Sequence, residues 1–162
     1  MTGSTVGFWT RCDTPPMRIA VAADERSALA QFLLEELVVR GHEPLIHGAL
    51  VDGERPDWAW GSAIAAQDVV AGRAEQAIVC CWTGTGASIA ANKVAGVRAA
   101  LCGDAITAAG ARRWNDANVL ALSLRAVGEG VLGEILDAWF ATAASDEPAD
   151  LANIARVSEL ER

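Results

Sequence analysis

Residues 78–93 read Ile-Val-Cys-Cys-Trp-Thr-Gly-Thr-Gly-Ala-Ser-Ile-Ala-Ala-Asn-Lys, and three physically different segments follow one another in that stretch. Ile78, Val79, Cys80 and Cys81 form a short apolar run, as expected of a strand buried on both faces. Thr83, Gly84, Thr85 and Gly86 form a loop of small residues in which the chain can turn tightly and present successive backbone N–H groups. From Ser88 onward the sequence is compatible with a helix, whose first unpaired N–H donors would point back at the loop. Strand, loop and helix start make an anion cradle with the thiol of Cys81 at its lip. A thiol that ionises beside such donors suits removal of a proton next to a carbonyl, because the developing enediolate oxygen needs the donors.

The same alternation extends in both directions. Strands are predicted over 18–23, 43–47, 76–81, 97–102 and 118–122. Helices are predicted over 27–40, from Asp57 or Ser62 to Ala71, over 104–113, over 127–140 and over 149–160. Gly41 and Gly72 stand where helices should stop. Near-continuous apolar strands alternating with helices predict a parallel α/β sheet covered on both faces. Such sheets bind ligands beyond the carboxyl ends of their strands, where the winding reverses. Asp24, Cys81, Gly103 and Ser123 all fall at predicted strand ends.

At 162 residues the chain is long enough for one domain with a substantial core. Residues 1–16 show no periodicity and end in Pro15-Pro16, and are expected to be a disordered extension. Residues 17–162 are expected to form a single domain with a C-terminal helix, Met17 being an alternative start. No apolar run approaches the roughly 20 residues of a membrane span, and no basic head precedes an apolar core at the N-terminus, which points to the cytoplasm. Four cysteines without an export signal read as reduced thiols. Cys80 and Cys81, adjacent on a strand, point to opposite faces and neither bridge nor share a metal. With two histidines and no C-x-x-C pair, neither a metal nor a cofactor is expected. The net charge of −8, without a basic stripe, argues against nucleic acid as a partner. A dinucleotide site is a weak reading, since Gly84-x-Gly86 lacks a third glycine and follows the third strand rather than the first.

Longer stretches carry a resemblance. Cys81-x-Thr83-Gly84-x-Gly86-x-Ser88-Ile89-Ala90-Ala91-Asn92-Lys93, then Gly96-Val97-Arg98-Ala99, Asn115-Asp116-Ala117-Asn118-Val119-Leu120 and Asp137-Ala138-Trp139 resemble the ribose-5-phosphate isomerase B and galactose-6-phosphate isomerase family. The match runs over about residues 17 to 140. It implies a three-layer Rossmann-like α/β fold with a five-stranded parallel sheet. It also implies a homodimer or tetramer whose active sites cross a subunit interface, and a sugar or sugar phosphate as substrate. In the family, the cysteine at the position of Cys81 abstracts the proton, the loop matching Gly84, Thr85, Gly86, Ala87 and Ser88 holds the enediolate, and the hydroxyl matching Thr83 helps open the sugar ring. A second branch places a glutamate where this chain has Ala87, which leaves Cys81 as the base.

The departures bear on the substrate. An Asp-His pair usual after the first strand is Asp24-Glu25 here, a histidine usual before Asn115 is Trp114, and a glycine usual after the cysteine is Trp82. Two phosphate-binding arginines near the C-terminus align with Pro148 and Ala152. Arg156 lies one turn later, and Arg125, after the fifth strand, keeps a basic position common in the family. Losing two charge-assisted contacts of about 1.5–3 kcal/mol each disfavours a phosphate. Glu25, Trp114 and the six tryptophans, against three phenylalanines and no tyrosine, suit a neutral sugar or polyol.

Each residue also has a plainer reading. Cys81 reads as a base or as a small buried hydrophobe, and Cys80 as core. Asp24 reads as a ligand contact or as a helix cap, and Glu25 as a contact or as a solvated first-turn carboxylate. Trp114 reads as pocket wall or interface packing, and both histidines as structural or exposed. The function is then an aldose–ketose isomerase with a cysteine base, or a catalytically silent sugar-binding or partner subunit of a hetero-oligomer.

Overall fold

The computed structural model describes residues 14–161. The extension expected over residues 1–16 lies almost wholly outside them; residues 14–16 have no regular secondary structure. Strands β1 (Arg18–Ala23), β2 (Glu43–Gly48), β3 (Gln76–Cys81), β4 (Ala99–Leu101) and β5 (Val119–Ser123) alternate with helices α1 (Ala28–Val39), α2 (Trp58–Val70), α3 (Thr85–Ala91), α4 (Ala105–Asn115) and α5 (Glu129–Ala141); α6 (Pro148–Glu159) ends the chain. The sheet order is β2-β1-β3-β5-β4, and all four pairings are parallel. This is the expected five-stranded Rossmann-like α/β fold.

The two faces of the sheet are packed differently. One layer holds the large side chains, among them Ile19, Val21, Leu33, Leu37, Ile78, Leu120, Leu136 and Trp139. Each contributes about 1.5–3 kcal/mol on burial, so this face carries most of the apolar stabilisation. The other layer is built of Ala20, Ala22, Ala65, Ala66, Ala77, Val79, Cys81, Ala87, Ala91 and Ala121. Small residues there let α2 and α3 lie close on the sheet; even a Cβ at Gly61 of α2 would already be in van der Waals contact with Ala22 and Gly48. Cys80 belongs to the first layer and Cys81 to the second, as the alternation of a strand requires.

Several boundaries differ from the sequence reading. The third helix begins at Thr85 rather than Ser88, because Gly84 takes a left-handed conformation (φ 76°) as its N-cap and its carbonyl accepts the Ser88 N–H at 3.0 Å. The residues read as loop therefore form the first helical turn. β4 is three residues long instead of six: the Arg98 amide ahead of it is taken by the Asn118 side chain and that of its first residue, Ala99, by Asn92 (2.8 Å each), and the ladder to β5 begins at Ala99. Asp24 does not cap α1; Ser27 does, accepting from the Ala30 N–H at 3.1 Å. His42 is buried between Met17 and Phe140, accepting the Met17 N–H at 3.3 Å, and burial lowers its pKa. No helix among the described residues is long and apolar enough to cross a membrane.

Candidate active site

The chain leaves β1 toward β2 on one side and leaves β3 toward β5 and β4 on the other. The winding thus reverses between β1 and β3, and the crevice expected of such sheets opens beyond the carboxyl ends of these two strands. Asp24 follows one end and Cys81 closes the other. Ala23 pairs with Cys80, and Asp24, which follows β1, is close enough to the turn after β3 for the Trp82 backbone N–H to act on its carboxyl.

The turn after β3 is fixed from several directions. The Trp82 carbonyl accepts the Ser123 hydroxyl at 2.8 Å and the Arg125 N–H at 3.2 Å, and the Cys81 carbonyl accepts the Leu124 N–H at 3.0 Å. These bonds sew the turn to the end of β5 and set Arg125, which is exposed, at the same edge. At Gly84 a Cβ would stand 2.6 Å from Leu101 Cδ1 and 2.8 Å from the backbone carbon of Leu122. The left-handed backbone and this lack of space both require glycine. Thr83 and Thr85 pair through their hydroxyls at 2.7 Å and are otherwise exposed. No side chain caps α3, so the first amides of that helix (Thr85, Gly86 and Ala87) face the crevice without a side-chain acceptor.

Asp24 is the electrostatic centre of the crevice. Burial raises its carboxyl pKa, an effect opposed by its own backbone N–H and that of Trp82 and reinforced by the adjacent Glu25. Its Oδ1 is buried without a hydrogen-bond partner. A buried carboxylate oxygen left unbonded is costly unless a ligand meets it. Cys81 is only 4% exposed, so its thiol ends the strand but lies largely under α3 rather than open at the lip. Cys80 is fully inside, and burial, together with the neighbouring Cys81 and Asp24, raises its pKa. Cys102 is likewise pushed up to about 12 by burial, with Asp104 adding to it. Neither supplies a thiolate.

Asp24, Glu25, Cys81, Trp82, Thr83, Gly84, Thr85, Gly86, Ala87, Ser88 and Arg125 thus gather at one edge of the sheet. Trp114 and Asn115 do not join them. α4 starts beyond the carboxyl end of β4 and finishes just before β5 begins, so its last residues lie at the opposite edge within one chain. There they line a cavity of about 250 Å³ with Arg98, Asn153 and Val157. Arg156 pairs with Glu159 at 2.5 Å on the exposed face of α6 and makes no approach to Cys81. Among the described residues no group of three or more His, Cys, Asp or Glu side chains could hold a metal ion. Two residues expected near the strand ends take part without having been expected as direct contacts. Ser123, read at the end of the fifth strand, holds the turn through its hydroxyl, and Trp58, read with Trp60, Trp82 and Trp114 as suiting a carbohydrate pocket, lies at the start of α2 against Gly86.

Comparison with known proteins meets this geometry. The family model described as Ribose/Galactose Isomerase matches residues 19–159. Ribose-5-phosphate isomerase B of Escherichia coli is 40% identical over 107 residues, covering 66% of this chain and 71% of that protein. The 4-deoxy-4-sulfo-D-erythrose isomerase of a Clostridium species is 37% identical over 108 residues, covering 65% and 67%. The structure of Trypanosoma brucei type B ribose 5-phosphate isomerase superposes with a TM-score of 0.83 at 33% identity, covering 91% of this chain and all of that one. With a crevice at the switch point, a cysteine and a glycine turn in the family's order, and a match over nearly the whole described chain, the protein belongs to the Ribose/Galactose Isomerase family and is an isomerase.

Proposed function

We propose that the protein interconverts an aldose and a ketose by moving a proton through an enediol(ate), with Cys81 as the base. One observation supports this reading above the others: Cys81 ends β3, the first turn of α3 follows it within four residues, and the unbonded Oδ1 of Asp24 lies just past the end of the neighbouring strand β1. In this mechanism the thiolate takes the proton from the carbon beside the carbonyl. The α3 amides stabilise the enediolate oxygen, each such donor being worth about a hundredfold or more in rate. Thr83, backed by Thr85, passes a proton at ring opening, and Asp24 accepts a sugar hydroxyl. The near-complete cover over Cys81 keeps bulk water from the reacting carbon.

The substrate in this reading is not the usual sugar 5-phosphate. Pro148 and Ala152 stand where the family places arginines, Arg156 is engaged with Glu159, and Asp24 and Glu25 bring negative charge to the crevice. The sulfonated sugar named for the Clostridium relative illustrates that family members differ in the group they accept. Trp114 and Asn115 enter the site from a second copy of the chain, as a homodimer or tetramer requires. Support comes from the apolar side chains Trp82, Ile89, Leu101 and Ile106 left exposed around edge strand β4, and from α6, which buries none of its residues against its own chain.

The test is a panel of sugars and sugar phosphates incubated in D₂O. Deuterium should enter the carbon beside the carbonyl of an unphosphorylated or differently charged sugar faster than that of ribose 5-phosphate. Efficient turnover of ribose 5-phosphate would overturn the substrate assignment. The burial of Cys81 favours one competing reading, a silent sugar-binding subunit. Co-purification of a second homologous chain, with no exchange by this one alone, would select it.

A further inference from the structure

Trp58 is a large apolar side chain left 45% exposed on the same sheet face, and at the same strand-end edge, as Cys81. Its backbone is pinned. Asp57 caps α2 by accepting the Trp60 N–H at 2.9 Å, its carbonyl accepts the Gly61 N–H at 3.1 Å, and Arg55 Nε holds its other oxygen at 3.1 Å. Its six-membered ring is pinned as well. Cδ2, Cε3 and Cζ3 lie 3.0, 3.0 and 3.2 Å from the point where a Cβ on residue 86 would stand, so glycine there lets the indole settle on the first turn of α3, and a larger residue would push it away by a few tenths of an ångström. A ring fixed on the very turn that presents the amides, with the rest of it open to solvent, forms one wall of the crevice. Indole faces attract weakly positive C–H edges and offer nothing to an anion, while the carboxylates of Asp24 and Glu25 accept hydroxyl hydrogens.

We propose that Trp58 determines specificity: seated on Gly86, its indole takes the C–H face of a neutral sugar and so selects against a charged terminus. This rests on the isomerase site proposed around Cys81. The experiment measures kcat/KM for D-ribose and for D-ribose 5-phosphate with the wild type, Trp58→Ala, Trp58→Phe and Gly86→Ala. Trp58→Ala is expected to lower the D-ribose value by about tenfold or more, chiefly through KM, and the phosphate value by less than about threefold. Trp58→Phe keeps a ring on Gly86 and is expected to lose only about two- to fivefold in the same ratio; it carries the test should the alanine variant not fold. Gly86→Ala, which displaces the ring by a few tenths of an ångström, should shift the ratio in the same direction as Trp58→Ala but by less. An active enzyme whose ratio is unchanged in these variants overturns the assignment of Trp58 alone, and a wild type that accepts only the phosphate overturns it together with the proposed substrate. A wild type that exchanges deuterium into no sugar of the panel overturns the proton transfer proposed at Cys81 and Trp58 with it.

Discussion

Asp24 keeps Oδ1 away from water without a partner, a setting in which burial favours the uncharged carboxyl. Because its folded pKa stands above the ordinary value of 3.8, the fold is penalised for ionising it. That penalty is complete above the folded pKa and absent below the unfolded one. Asp24→Asn keeps an acceptor for the Trp82 N–H and removes the charge. The variant should melt at a higher temperature than the wild type at pH 7, the difference fading as pH falls through the carboxylate range, while its turnover drops by about tenfold or more. Thermal scans at pH 7 and pH 3.5 check the first part, and a variant less stable than the wild type at pH 7 contradicts it. Gly84 illustrates the opposite balance, a residue chosen by the backbone. Gly84→Ala combines a left-handed non-glycine residue with overlap on the Leu122 backbone, and should cost about 2 kcal/mol or more in denaturant titration.

Elements were legible where one local signal dominated. β3 was expected over 76–81 and is found there, because five apolar or small residues in a row after Gln76 give one local signal that dominates. α3 was misplaced at its start, since Gly84-Thr85-Gly86 reads as loop by propensity while the left-handed cap at Gly84 turns the next residues into a helix. β4 begins later than its apolar run because the Asn118 side chain takes the Arg98 amide ahead of it and the Asn92 side chain takes the amide of its first residue, Ala99. Likewise no sequence signal joined His47 of β2 to Asp68 of α2. The ring Nε2 and Arg73 Nε each lie 2.6 Å from the Asp68 carboxylate, which is buried and ties the edge strand to the helix that carries Trp58. Asp68→Ala should therefore lose about 1.5–3 kcal/mol in equilibrium unfolding, whereas Arg73→Ala, at the exposed partner, should lose less than about 1 kcal/mol.

At the scale of the molecule, the sheet order places Asp24, the β3 turn and Arg125 together, and this much followed from reading parallel strands and their ends. The other half of the expected site, Trp114 and Asn115, lies at the opposite edge of the same sheet, a separation that spacing along a chain cannot reveal. In the proposed reading a second copy of the chain brings them to the crevice. Chains carrying Cys81→Ala, co-refolded with chains carrying Asn115→Ala, should regain activity that neither has alone, up to about a quarter of the wild type for a random dimer with one intact site in each mixed pair. No regain, or a monomer by light scattering, contradicts the shared site. The central claim is that the sulfur at the end of β3 removes the proton, and following solvent deuterium into the carbon beside the substrate carbonyl by NMR tests it most directly. Steady incorporation is expected with the wild type and only the uncatalysed background with folded Cys81→Ala; incorporation by Cys81→Ala at the wild-type rate would contradict that role for the sulfur.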